Sequence, residues 1–224
     1  MAWIAGNVPQ ITDIGDEVTD FILDSQMGQI SLRDYIDGKW AVLVTFGKAF
    51  EPVSTTEIGM LGKLHDEFEA RNLTTVCIGC DNSSNYRRWI KDIEELNTTK
   101  ITFPLLSDPD YRVLKQFGCA RDVIGSTKQD ATINCFATFV IDLDKKVRYV
   151  MKYSTLTGRN FYEILRAYDA IQISIHYRVV IPTNWGMGQD VLVHPDMSNE
   201  EAASMRFATI KPYFRLAPCP EVEK

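Results

Sequence analysis

The stretch GKAFEPVSTTE, residues 47–57, sets the hydroxyl of Ser54 three residues after the carboxylate of Glu51, where a buried strand gives way to a helix. The first turn of a helix offers unpaired backbone N–H groups and the positive end of the helix dipole, so an anion or a nucleophile is stabilised there. A serine beside a glutamate has the look of a hydrolytic dyad. None of the three histidines, His65, His176 and His194, is near it in sequence, however, and a carboxylate alone rarely activates serine. A capping or first-turn hydroxyl is the simpler account of Ser54. The histidines fall in no metal-ligand spacing, so neither a zinc site nor a cofactor is expected.

Thiols are the other candidates. Cys77, Cys80, Cys119, Cys135 and Cys219 form an odd set without the spacing of a disulfide-stapled scaffold, which suits a reducing, cytoplasmic setting. Cys77 and Cys80 have the C-x-x-C spacing of redox and zinc sites. They lie in the apolar run LTTVCIGCD, though, and residues three apart on a strand point to opposite faces, so they cannot share a disulfide or a metal. Two packed, inert thiols are expected there.

The elements that position these residues read as an α/β pattern. WAVLVTF, residues 40–46, is a continuous apolar run bounded by Asp37-Gly38 and Gly47, as in a strand buried on both faces. After it Ile58, Leu61, Leu64 and Phe68 recur at helical spacing, with Thr55 or Thr56 available to cap the first turn. LTTVCIGCD is a second buried strand and YRRWIKDIEEL a second amphipathic helix, so a parallel βαβ unit follows. ATFVID and VRYVMKY flank the polar residues 143–146, a hairpin between antiparallel strands, which makes the sheet mixed. FYEILRAYDAIQIS reads as a further helix. Beyond it Pro182, Pro195, Pro212, Pro218 and Pro220 break up short apolar pieces, and the expected division is a main domain, residues 1–174, with a small C-terminal region, residues 175–224.

Composition narrows the partners. A formal charge of −6 leaves no basic stripe for a phosphate backbone, so nucleic acid is not expected. No apolar run reaches the ~18 residues of a membrane span. The N-terminus, MAWIAGNVPQITDIGDE, has neither the basic nor the apolar region of a secretory signal.

Three separated motifs then carry a resemblance. F-x-P-V-x-T-T-E (Phe50 to Glu57), T-G-R-N-F-x-E-I-L-R (Thr157 to Arg166), and Pro182-x-x-Trp185 followed by Val193-x-Pro195 resemble the one-cysteine peroxiredoxins of the peroxiredoxin 6 type, over roughly residues 5 to 218. The resemblance implies a thioredoxin-like mixed sheet flanked by helices, a C-terminal dimerisation region, and reduction of hydroperoxides by a thiol. The family's site is a Pro, a Thr four residues on, the peroxidatic Cys three further, and an Arg on a distant strand. The helix dipole and the Arg favour thiolate, and only thiolate attacks the O–O bond. The Thr holds the reactants in line. Here those positions hold Gly47, Glu51, Ser54 and Phe136, while Arg159 of the T-G-R-N motif is retained. Arg159 and Glu57 also read as an ion pair tying helix to loop, which is the favoured account. A phospholipase activity associated with these relatives uses a Gly-x-Ser-x-Gly motif and an earlier His; the matching positions are Lys39 and Arg33, which supply no nucleophile.

Serine has no oxidation ladder of the sulfenic kind, and Glu51 would oppose a thiolate put back at position 54. Because the supports have changed along with the cysteine, divergence accounts for the pattern better than a trapping substitution does. Two functions are therefore carried forward. One is a catalytically degenerate peroxiredoxin acting through binding, as a homodimer or as a heterodimer with active paralogues. The other is a divergent antioxidant peroxidase with a relocated thiol, for which Cys135, beside the lost Arg position, is the first candidate; a buried small hydrophobe is its plainer reading.

Overall fold

The computed structural model describes residues 11–123 and 131–220. Residues 1–10, which belong to the stretch read as lacking a signal, lie outside them. Packing divides the described chain into two units, one ending at Arg159 and one beginning at Asn160.

The first unit opens with a hairpin that the sequence reading passed over, β1 (Ile22–Ser25) and β2 (Gly28–Ser31), followed by the short helix α1 (Leu32–Tyr35). Next come β3 (Trp40–Thr45), α2 (Pro52–Lys63), α3 (His65–Glu69), β4 (Leu73–Gly79), α4 (Ser83–Asn97), β5 (Leu105–Ser107) and α5 (Arg112–Gln116). A small pair, β6 (Ala120–Asp122) with β7 (Ala131–Ile133), precedes the hairpin β8 (Phe136–Ile141) and β9 (Val147–Tyr153). The main sheet has seven strands in the order β2-β1-β5-β4-β3-β8-β9. Strand β3 pairs parallel with β4 and β4 with β5, while β8 runs antiparallel to β3, so the sheet is mixed as the two apolar runs and the polar hairpin loop imply. Every residue of β3, β4 and β8 is buried, which is why these segments lack the alternation of a one-sided strand.

Where one helix was expected over Ile58 to Phe68, there are two. The chain leaves helical geometry at Leu64, which ends α2 and opens α3, yet Ile58, Leu61, Leu64 and Phe68 all still point inward. On α4 the buried face is Tyr86, Trp89 and Ile93, at the three- and four-residue spacing of an amphipathic helix.

The second unit holds α6 (Phe161–His176), β10 (Val179–Val180), β11 (Val191–Val193), α7 (Asn199–Ser204), β12 (Ala208–Lys211) and β13 (Phe214–Ala217). Its sheet runs β10-β11-β13-β12, all antiparallel. The division thus falls ahead of α6 rather than near residue 174. The reason is a shared core: Ile173 of α6 packs with Val179, Trp185, Val191, Val193 and Met197.

Phe46, at the end of β3, is fully buried, with its ring 5.4 Å from that of Tyr86 and 5.5 Å from that of Trp89. It lies over Gly79, where an added Cβ would come within 2.3 Å of the ring and 2.7 Å of the Gly47 carbonyl. Gly79→Ala is therefore expected to destabilise the chain by about 1–3 kcal/mol, the usual effect of overpacking a core. The check is chemical denaturation, read as a lower midpoint at unchanged slope.

Candidate active site

Helix α2 begins with a proline at its first position, and the residue before it, Glu51, is the cap. The backbone reaches Glu51 through Phe50, which holds a φ of +63°. One carboxylate oxygen of Glu51 accepts from the Val53 N–H at 3.0 Å and the other from the Ser54 N–H at 2.7 Å. That second oxygen also accepts from the Ser54 hydroxyl at 2.6 Å. The buried Ser54 is thus a first-turn residue bonded back to the cap, not the cap itself. Nor does either threonine cap the helix. The Thr55 hydroxyl donates to the Glu51 carbonyl at 2.7 Å, and the Thr56 hydroxyl to the Val53 carbonyl at 2.7 Å. The indole N–H of Trp89 donates to Thr55 Oγ1 at 3.0 Å, which ties α4 to this turn.

One helical turn further on, Glu57 is buried against Arg159, and both side chains are almost wholly shielded, at 2 % and 0 % exposure. Arg159 donates from its backbone N–H and its Nε to the same Glu57 oxygen, at 2.7 and 2.8 Å, and from Nη2 to the other. Its Nη1 donates to the Ala137 carbonyl at 2.7 Å. The pair joins α2, strand β8 and the loop after β9, which is the tether that the sequence favoured. The Phe136 ring faces the guanidinium, 5.6 Å from its centroid, and its other neighbour is Gly47, whose Cβ would lie 3.6 Å from the ring. Gly47, Phe136, Arg159 and Glu57 therefore form one contiguous set, and Glu51 with Ser54 a second, linked through α2. Phe46 faces α4 instead. The three histidines are engaged elsewhere: His65 packs near Phe103, His176 bonds the Gln172 carbonyl and His194 lies by Asp196. Arg33 and Lys39 are exposed, Arg33 paired with Glu17. Among the described residues no group of three or more His, Cys, Asp or Glu side chains is placed to hold a metal, and no helix is long and apolar enough to cross a membrane.

The AhpC/TSA family model matches residues 14–150. This chain belongs to that peroxiredoxin family. It is 36 % identical over 210 residues to the 1-Cys peroxiredoxin of Dictyostelium discoideum, covering 92 % of this chain and 85 % of that one. A solved structure of a cysteine-to-serine mutant of the peroxiredoxin 6 of Arenicola marina superposes with a TM-score of 0.85 at 31 % identity, covering 94 % of this chain and 99 % of that chain. A yeast mitochondrial 1-Cys peroxiredoxin does so with a TM-score of 0.83 at 32 % identity, covering 93 % and 100 %. The mixed sheet with its flanking helices is thus the thioredoxin-like fold of a peroxiredoxin, and the family's role is thiol-dependent peroxide reduction.

All five cysteines of this peroxiredoxin are free. Cys77 and Cys80 are buried, and burial pushes both thiols up, as packed and inert sulfurs require. Cys135 is not the fully buried hydrophobe of its plainer reading. It is only partly buried, and its sulfur lies 3.6 Å from the Gly118 carbonyl. Its pKa is drawn down to about 6, first by the neighbouring Cys119 and then, against the effect of burial, by the charges of Lys152, Arg121 and Arg159. Sequence reasoning missed Cys119, because its neighbour arrives through the pairing of β6 with β7, which no local pattern announces.

Removing one partner of a shielded ion pair strands the other charge, a loss of about 3–5 kcal/mol, whereas an apolar pair of similar volume is often close to neutral. Arg159→Met or Glu57→Gln alone should unfold the chain at much lower denaturant. The double variant Glu57→Leu/Arg159→Met should recover most of the stability, and additive losses would contradict the assigned pairing.

Proposed function

We propose that this peroxiredoxin no longer reduces peroxide at its family's cysteine position and acts instead through binding, in a homodimer or in a heterodimer with an active paralogue. The observation that carries the reading is the Glu51 carboxylate, which takes the Val53 and Ser54 N–H groups and the Ser54 hydroxyl. The donors that would hold an anionic sulfur at position 54 already hold an anion. A thiol placed there would sit against like charge, which disfavours its ionised form. The correspondence of Gly47, Glu51, Ser54 and Phe136 with the family's Pro, Thr, Cys and Arg supports the same reading. The buried bonds of Arg159 to Glu57 and the Ala137 carbonyl support the same reading. Five free thiols agree with a cytoplasmic setting.

The binding role draws support from the second unit. Strand β12 is the edge of its sheet and is exposed along its length, Ile210 included, and Tyr213 and Phe214 are exposed just after it. An apolar edge of this kind is a template for pairing with another chain. Sedimentation at micromolar concentration should show a dimer that Tyr213→Asp or Ile210→Lys shifts to monomer; a wild-type chain that is already monomeric would remove this arm.

A second reading, a divergent antioxidant peroxidase built on Cys135, is favoured by the partial exposure of that thiol together with its lowered pKa. The two readings separate in one experiment. Ser54→Cys is expected to reduce hydrogen peroxide no faster than a free thiol does, and a rate comparable with an active peroxiredoxin would defeat the degenerate reading. Any wild-type peroxidase rate that survives Cys135→Ser would defeat the second.

A further inference from the structure

Cys119 and Cys135 meet at a corner of the fold away from the start of α2. Cys119 directly precedes β6, and its fully buried sulfur accepts a hydrogen bond from Thr45 Oγ1 at 3.5 Å. The pairing of β6 with β7 carries on to Asn134, whose N–H donates to the Cys119 carbonyl at 2.9 Å, and this lays the next residue, Cys135, beside Cys119. Asn134 Nδ2 contacts the Cys135 sulfur at 3.7 Å, and that sulfur lies 3.6 Å from the carbonyl of Gly118, the residue just before Cys119. One sulfur is therefore partly open to solvent and its partner is closed off.

Cations gather on the open side. Lys152 of β9 pairs across from Ala137, two residues after Cys135, and its ammonium lies beside Gly118. Arg121, exposed on β6, is two residues from Cys119, and the charges of both cations act on the Cys135 sulfur. An attacking thiol works best when its pKa lies near the ambient pH, and the resolving thiol needs only contact with the mixed disulfide.

We propose that Cys135 and Cys119 form a dithiol–disulfide couple that exchanges with small anionic disulfides, Cys135 attacking and Cys119 resolving. The Cys135 thiolate attacks one sulfur of the disulfide RSSR, forming a mixed Cys135–SR bond and expelling RS⁻, which takes a proton from solvent. Cys119 gives up its proton and attacks the Cys135 sulfur. The Cys119–Cys135 bond forms, and the second RS⁻ leaves with that proton. The protein dithiol has lost two electrons and RSSR has become two RSH; excess RSH reverses both steps. Neither step uses a peroxide or any residue of α2, so the couple goes beyond both readings above.

The test treats the reduced full chain with glutathione disulfide and follows it by mass spectrometry of non-reduced peptides. The expected course is a glutathione adduct on Cys135 that gives way to a Cys119–Cys135 crosslink, with two thiols released per chain. Cys119→Ser should halt at the stable Cys135 adduct, and Cys135→Ser should form neither product. If Cys119→Ser does not fold, the order of species in the wild-type time course decides. Lys152→Glu should slow the reaction with glutathione disulfide several-fold while sparing cystamine, a cationic disulfide. A wild-type chain that stops at the Cys135 adduct, or that first captures glutathione on another cysteine, overturns the proposal. A parallel hydrogen peroxide arm keeps the two ideas apart: sulfenic acid on Cys135 without disulfide exchange would sink this couple and leave the relocated-peroxidase reading standing.

Discussion

The start of helix α2 is a concentration of unsatisfied N–H groups, and whatever occupies it decides what this fold can do. A helix that opens inside a protein must find acceptors for those groups, since a buried donor without a partner costs about 1–3 kcal/mol. In this chain the acceptor is internal. Glu51 folds over its own helix and binds the Val53 and Ser54 amides, and Ser54 adds its hydroxyl to the same oxygen. A site of this type is a seat for an anion, and a seat taken by a covalently attached carboxylate is unavailable to a thiolate or a polar substrate. Pro52, at the first helical position, contributes no donor of its own, so the carboxylate takes the next two amides.

The second constraint is the shielded pair of Glu57 and Arg159. Two charges removed from water gain stability only when their geometry satisfies the desolvated groups. Arg159 meets that demand with donations to Glu57, the Ala137 carbonyl and Thr138 Oγ1, which fix α2 against β8. An arginine so engaged is an anchor. The Phe136 ring over the guanidinium, and Gly47 beneath the same ring, fill the space on that side with carbon. The contiguous set thus keeps an aligned helix and strand while presenting no donor from Phe136 or Gly47.

Legibility in the sequence followed the range of the interaction. Buried strands β3, β4 and β8 stand out because both their faces are covered, which leaves unbroken apolar runs, and the βαβ order follows from the alternation of those runs with helical periodicity. Hairpin β1–β2 and the C-terminal sheet did not stand out, since strands of two to four residues carry too few positions for a period. At the site the residue types at positions 47, 51, 54 and 136 were readable, but the capping geometry was not. Thr55 and Thr56 match the usual cap preference, and a glutamate bridging its own first turn is chosen by the bend at Phe50, a left-handed residue that no propensity would nominate. The meeting of Cys119 with Cys135 was invisible for a different reason. It depends on how β6 finds β7, and register between short strands is set by tertiary context.

A reactive sulfur needs three things near it: a donor, a positive charge and a path to solvent. At the head of α2 the donors are consumed by Glu51, the cation is locked to Glu57, and Ser54 is buried. At the corner of β6, β7 and β8 the same three requirements are met by other groups: the Asn134 side-chain amide donates, Lys152 and Arg121 supply charge, and Cys135 is partly open. Phe136 opens β8 with its ring toward Arg159, while Cys135, just ahead of the strand, sets its sulfur against the Gly118 carbonyl. Two adjacent residues thus differ in what they meet: the Phe136 ring lies by the shielded pair, and the Cys135 sulfur is partly open to solvent.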